Sequence, residues 1–280
     1  MTNEERIKAL FARLDEIEAY ARCVGKVQFD MECCAPEDGI AQAGDDMAVL
    51  GRRIFELTHE DTFVSLLTEL HENGDGLTDL QRKAVEYLWE EYEREKNFTP
   101  EFAYEFDVAG NRAYGDWLKA KKAQDFSLYK EAFADVIKKT REAVHLRDRQ
   151  GPTVYDTLLN DYEEGGCIAQ LDAFFAALKA RILPLVKRIA EEGKPIREDF
   201  MSRKVSIPQQ EAFSRWLLRL EGLRESALVF MTTEHPFTDN FGPTDVRVTT
   251  HYYEDRFVSN IFSTLHEGGH ALFMQNEPAE

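Results

Sequence analysis

Residues 257–273 read FVSNIFSTLHEGGHALF. Phe257, Ile261, Leu265 and Leu272, with Phe262 and Phe273 beside them, recur at the spacing of a helix flank. That period predicts one α-helix over the whole stretch. Residues four apart on a helix lie one above the other, so His266 and His270 can turn two imidazoles toward a single tetrahedral metal ion. Glu267 is rotated by roughly 100° from His266. It therefore falls outside the ligand pair but can take a proton from a water activated at the metal. Zinc suits this donor set, and the chemistry implied is amide hydrolysis. The bland reading is a buried helix whose histidines hydrogen-bond locally. Two features weigh against it. Gly268 and Gly269 each cost a helix interior about 1 kcal/mol against Ala, a cost expected where another backbone approaches. A polar, irregular stretch also stands just upstream.

That stretch, Thr232 to Thr250, is rich in Pro, Gly, Asp and Thr and predicts irregular chain with at most one strand. Within it Asp245, Arg247 and Thr249 share one face at period two, the pattern of a short edge strand with a solvated face. The rest of the sequence is helical in pattern. Ile7, Leu10, Phe11, Leu14 and Ile17 line one face of an opening helix. Thr78 followed by Gln81, ahead of Leu80, Ala84, Leu88 and Tyr92, forms a capping box, and Thr99-Pro100 starts another helix. Breaks at Glu72 to Gly76, Asn97 to Pro100, Asp148 to Thr153, Gly165-Gly166 and Gly193 to Pro195 supply turn chemistry. The fold class expected is mainly α, about eight to ten helices in one helical domain over residues 1–280.

Composition agrees with a globular chain: 43% hydrophobic and 31% charged residues. Lys and Arg number 34 against 52 Asp and Glu, a net charge of -18, which repels phosphate backbones and anionic lipid and favours divalent cations. Neither nucleic acid nor membrane is expected as a partner. No apolar run resembles a leader or a membrane span, so a cytoplasmic location is expected. Cys23, Cys33, Cys34 and Cys167 show no CxxC spacing and read as reduced structural thiols.

Three segments, two of them described above, share an order and spacing. Glu234-His235-Pro236-Phe237, then Asp245-x-Arg247-x-Thr249, then His266-Glu267-Gly268-Gly269-His270 resemble the HPF, DxRxT and HExxH signatures of the carboxypeptidase Taq family. Phe29-Asp30-Met31 leading to Pro36, Tyr155 to Leu159 leading to Tyr162, and His270 to Gln275 are similar to family segments as well. The resemblance implies a mostly helical, elongated zincin-like fold with a deep groove, zinc or cobalt dependence, and release of single residues from peptide C-termini. It further implies His266 and His270 as metal ligands, Glu267 as general base, and His235, Asp245, Arg247 and Thr249 as substrate-groove candidates. Arg247 has a structural alternative as an ion-pair partner, and His235 as the shaper of its turn with Pro236. His251, Tyr252 and Tyr253 read as core or cleft lining.

The sequence departs from the family pattern twice. Phe29 stands where Trp is expected. The third metal ligand expected by resemblance, a glutamate of a HES motif, and a downstream arginine motif for the substrate carboxylate would both follow residue 280. Glu277 and Glu280 lie past the expected helix end near Asn276 and would need a reversal of the chain to reach the metal. The chain alone is therefore expected to bind zinc weakly and turn over slowly, and homodimer formation is a further expectation. Two rival readings remain at this point: a helical oligoendopeptidase using the same HExxH helix, and a binding or regulatory protein that keeps the motif without activity.

Overall fold

The computed structural model describes residues 1–148 and 151–278, and the chain forms two compact units. The first comprises Met1–Val24 and Asp38–Gly193. It begins with α1 (Asn3–Cys33), followed by α2 (Ile40–Thr58), α3 (Asp61–Glu72), α4 (Asp79–Glu95) and α5 (Pro100–Ala123). Then come α6 (Lys130–Leu146), α7 (Val154–Leu159) and α8 (Ile168–Glu192). Ile7, Leu10 and Ile17 of α1 pack with Leu57, Phe63, Leu67, Leu70, Leu77 and Val85 into the core of this unit. Leu14 packs against its edge, while Phe11 is exposed.

The caps form as the sequence expects. Thr78 Oγ1 accepts from Gln81 N–H at 3.2 Å and Gln81 Oε1 accepts from Thr78 N–H at 3.0 Å. Thr99 Oγ1 accepts from Phe102 N–H at the start of α5. Helices end at the expected breaks, although Arg149 and Gln150 of the break before α7 lie outside the described residues. No helix among the described residues is long and apolar enough to cross a membrane.

The second unit comprises Gly25–Glu37 and Lys194–Glu280, so it takes the last turns of α1 together with the C-terminal part of the sequence. Its elements are α9 (Ile207–Leu220), β1 (Leu228–Thr232), β2 (Thr238–Asn240), β3 (Val246–Thr250) and α10 (Phe257–Gln275). The three strands form one sheet in the order β1-β3-β2, with β1 parallel and β2 antiparallel to β3. This differs from the single edge strand expected. β3 is central, and Val246, Val248, Thr249 and Thr250 are all fully buried. Burying β3 on both faces demands that its hydroxyls find partners, and they do: Thr249 and Thr250 each hydrogen-bond within the unit.

Helix α10 lies against β3, α9 and β2. Its buried positions are Asn260, Thr264, Glu267, Gly268, Ala271 and Gln275, one face at helical spacing. Asn260 Oδ1 accepts from Thr250 Oγ1 at 2.8 Å and its Nδ2 donates to Ser214 Oγ at 2.9 Å. At the far end Gln275 Oε1 accepts from Arg224 N–H at 2.8 Å, and Gln275 Nε2 donates to the Arg224 and Ala227 carbonyls. Between these polar anchors Ala271 joins Leu218, Leu223, Val246 and Val248 in the unit's apolar core. The helix is thus fixed in rotation about its axis, which decides what its outer face presents.

Candidate metal and proton-transfer site

With Asn260, Thr264 and Ala271 turned inward, His266 and His270 face outward and are exposed. Their Nε2 atoms stand 3.2 Å apart, with ring centroids 4.8 Å apart and the planes near perpendicular. Two ligands at zinc-nitrogen lengths on one tetrahedral ion would sit about 3.3 Å from each other. The imidazole pair therefore fits a shared divalent ion, and its nitrogen donors suit zinc or a neighbouring first-row metal. Among the described residues no group of three or more His, Cys, Asp or Glu side chains is placed to hold an ion together. Glu277 lies past the end of α10, and its carboxylate accepts from Asn240 Nδ2 at 2.8 Å. Glu280 falls outside the described residues.

Glu267 occupies the boundary between the two faces of the helix and is only 8% exposed. Its Oε2 accepts a hydrogen bond from Thr238 Oγ1 at 2.7 Å. The same hydroxyl lies 3.0 Å from the Glu267 main-chain carbonyl. The sequence reading passes over Thr238. The signal that could have found it is its place, directly after His235-Pro236-Phe237 and at the start of β2.

The two glycines of the motif have different surroundings. A Cβ on Gly268 would collide with the Glu221 carboxylate and crowd Leu218 at 3.0 Å, so close packing accounts for that glycine. Glu221 Oε2 is buried with no hydrogen-bond partner among the described residues, and burial raises its carboxyl above the ordinary range. A Cβ on Gly269 would meet nothing within 4 Å. Packing among the described residues does not account for Gly269.

The groove candidates are engaged within the unit. Thr249 Oγ1 accepts from Phe237 N–H at 2.8 Å and lies 3.0 Å from the Phe237 carbonyl, which also accepts from Thr249 N–H at 2.9 Å. Arg247 donates through Nε and Nη2 to the two oxygens of Asp245, at 3.0 and 3.2 Å. Its guanidinium lies 4.9 Å from the Phe29 ring and 4.8 Å from that of Phe241. Hydrogen bonding from Arg247 holds the Asp245 carboxyl below the ordinary carboxylate range. Phe29 is buried and meets Phe237 edge to face at 6.0 Å, so the Phe that replaces the expected Trp is a packing residue. Next to Thr238, burial pushes Asp239 up to about 6, with Glu32 adding to the shift and Arg247 opposing it. His235 is exposed, whereas His251 is half-buried with Nδ1 2.8 Å from the Thr233 carbonyl. Burial pushes Tyr252 up to about 12.

Residues 9–280 match a family model described as Carboxypeptidase Taq (M32) metallopeptidase. The chain is 32% identical over 270 residues to Carboxypeptidase 1 of Bacillus subtilis (strain 168), covering 96% of this chain and 54% of that protein. It is 31% identical over 272 residues to Thermostable carboxypeptidase 1 of Pyrococcus furiosus, again covering 96% of this chain and 54% of the relative. The solved structure described as "BsuCP Crystal Structure" superposes with a TM-score of 0.93 at 30% identity, covering 98% of this chain and 55% of that one. The chain thus spans about half the length of the curated relatives it matches.

Proposed function

Because the chain belongs to the Carboxypeptidase Taq (M32) metallopeptidase family, we propose that it supplies the metal-binding helix and the proton-transfer carboxylate of a zinc-dependent carboxypeptidase. The observation that carries this is the convergence of the His266 and His270 Nε2 atoms to 3.2 Å, with the next-door Glu267 held by its neighbour Thr238. A zinc ion held by His266 and His270 would polarise the scissile carbonyl and bring the pKa of a bound water toward neutrality. Glu267 then takes the proton of that water and passes it to the departing amine, as a buried carboxylate with one oxygen fixed is placed to do. His235 lines the substrate groove from its exposed turn, while Asp245, Arg247 and Thr249 serve as the frame behind it. A catalytic zinc takes three protein ligands, and the third is proposed to come from sequence of the kind the relatives carry in their unmatched share.

The test is zinc titration combined with an assay of C-terminal release. The chain is assayed alone and with a polypeptide corresponding to the unmatched share of the Bacillus subtilis relative. Alone, it is expected to bind zinc weakly, on the order of micromolar or weaker for an incomplete ligand set. Glu267→Gln is expected to keep the metal and lower release by about 10²–10⁴-fold, because it removes the base and spares the ligands. Undiminished release would take Glu267 out of the mechanism. Cleavage of a peptide amidated at its C-terminus would favour an endopeptidase. Tight one-to-one zinc binding by the chain alone would place the third ligand within these 280 residues.

A further inference from the structure

We infer that Thr238 is the positioning residue for Glu267, and that the three sequence motifs form one relay of hydrogen bonds ending on that carboxylate. The inference rests on the reading of Glu267 as the base. The relay starts at Thr249, fully buried at the centre of the sheet. Its hydroxyl and main chain clamp Phe237 from both sides, at 2.8 Å to the amide and at 3.0 and 2.9 Å to the carbonyl. Phe237 immediately precedes Thr238, so the clamp fixes the backbone from which the Thr238 side chain departs. Strand pairing fixes it a second time, because Thr238 stands opposite Val248 in the β2-β3 register.

Thr238 Oγ1 carries one proton and has two acceptors on Glu267, Oε2 at 2.7 Å and the main-chain carbonyl at 3.0 Å. The shorter contact, to Oε2, takes the proton and ties the carboxylate to β2. A glutamate has three rotatable bonds, and a mostly buried one with a single tethered oxygen retains few of its rotamers. Holding the proton acceptor in one place is what general-base chemistry needs, since misplacement by about 1 Å can cost roughly 100-fold in rate. The other oxygen, Oε1, is the one assigned to take the proton. Thr238 touches neither metal nor substrate in this scheme and acts only through Glu267.

The test uses the 280-residue chain with ¹³C-labelled glutamate. The Glu267 carboxyl signal is assigned by its loss in Glu267→Gln, and the three-bond couplings along the side chain report its rotamer. In the parent chain the couplings are expected to show one rotamer. Thr238→Val, which keeps the shape and removes the donor, should average them, while Thr238→Ser should retain the single rotamer. The zinc isotherm should be the same in all three. Thr238→Ala serves in place of the valine variant if that one disturbs β2, as judged by its thermal midpoint. Couplings unchanged without the hydroxyl would overturn the inference. In the release assay Thr238→Val should lower kcat by about 10- to 100-fold with KM unchanged. It should add nothing in the Glu267→Gln background, and a further loss there would show that Thr238 acts elsewhere. If Glu267→Gln itself leaves release intact, the reading of the base fails, whatever the couplings say of Thr238.

Discussion

At the scale of single residues, the motif's two glycines differ in what surrounds them. Gly268 sits where a methyl group would strike Glu221. Gly269 lies inside a helix with nothing among the described residues within 4 Å of where its Cβ would stand, so Ala should be better there by about 1 kcal/mol through helix propensity alone. Gly269→Ala is therefore expected to raise the urea midpoint of unfolding. If the open space admits a substrate backbone, the same variant should raise KM in the release assay. A variant that is no more stable than the parent would show that something already fills that space. The approach of the His266 and His270 rings was legible in the sequence because it depends only on spacing along one helix. The contact between Thr238 and Glu267 was not, because it depends on a strand register that brings residue 238 to residue 267 across a 29-residue separation. Arg247 was legible only as an alternative. Of its aromatic neighbours, Phe29 comes from distant sequence and Phe241 is brought over by the turn between β2 and β3, a contact that no local pattern announces.

At the scale of elements, α10 depends on polar anchors as much as on apolar contact. Asn260 is 1% exposed and satisfies Ser214 and Thr250, with Thr264 Oγ1 also 3.3 Å from its carbonyl oxygen. Replacing it with an apolar residue of similar size strands those hydroxyls, each at about 1–3 kcal/mol. Asn260→Leu is expected to destabilise the chain by about 3 kcal/mol in denaturant titration, because the gain from burying Leu does not offset the orphaned groups. A loss under about 1 kcal/mol would mean the hydroxyls re-pair among themselves. Helices were readable at this scale because caps and period are local: Thr78 with Gln81 and Thr99 with Pro100 open helices where the sequence says they should. The strands were not. β2 is Thr-Asp-Asn, three residues with no apolar alternation, and β1 starts within a short apolar run that a helix could also use. Both are strands because β3 between them offers hydrogen bonds on each side.

At the scale of the whole molecule, α8 stands out for its surface. Phe174, Phe175, Ile182, Leu183, Val186 and Ile189 are all exposed, and no residue of the helix is buried. Apolar surface this extensive is rare on a monomer and promotes association, against the repulsion of a net charge of -18. The chain alone is expected to self-associate as concentration and salt rise, and Leu183→Glu with Val186→Glu should return it to monomer in sedimentation velocity. A monomer throughout, in parent and variant alike, would sink that expectation.

The division of the chain has a consequence in time. The unit that carries the site is built from residues 25–37 and 194–280, and Phe29 at the end of α1 finds Arg247 and Phe237 only in the later segment. During synthesis about 160 residues separate the two, which at typical elongation rates is a wait of roughly 10–30 s. For that interval the tail of α1 has left the ribosome with Phe237 and Arg247 still untranslated. The sheet can close only after β3 has emerged, so the histidine helix, last of the described elements to be made, folds onto a surface completed seconds before it arrives.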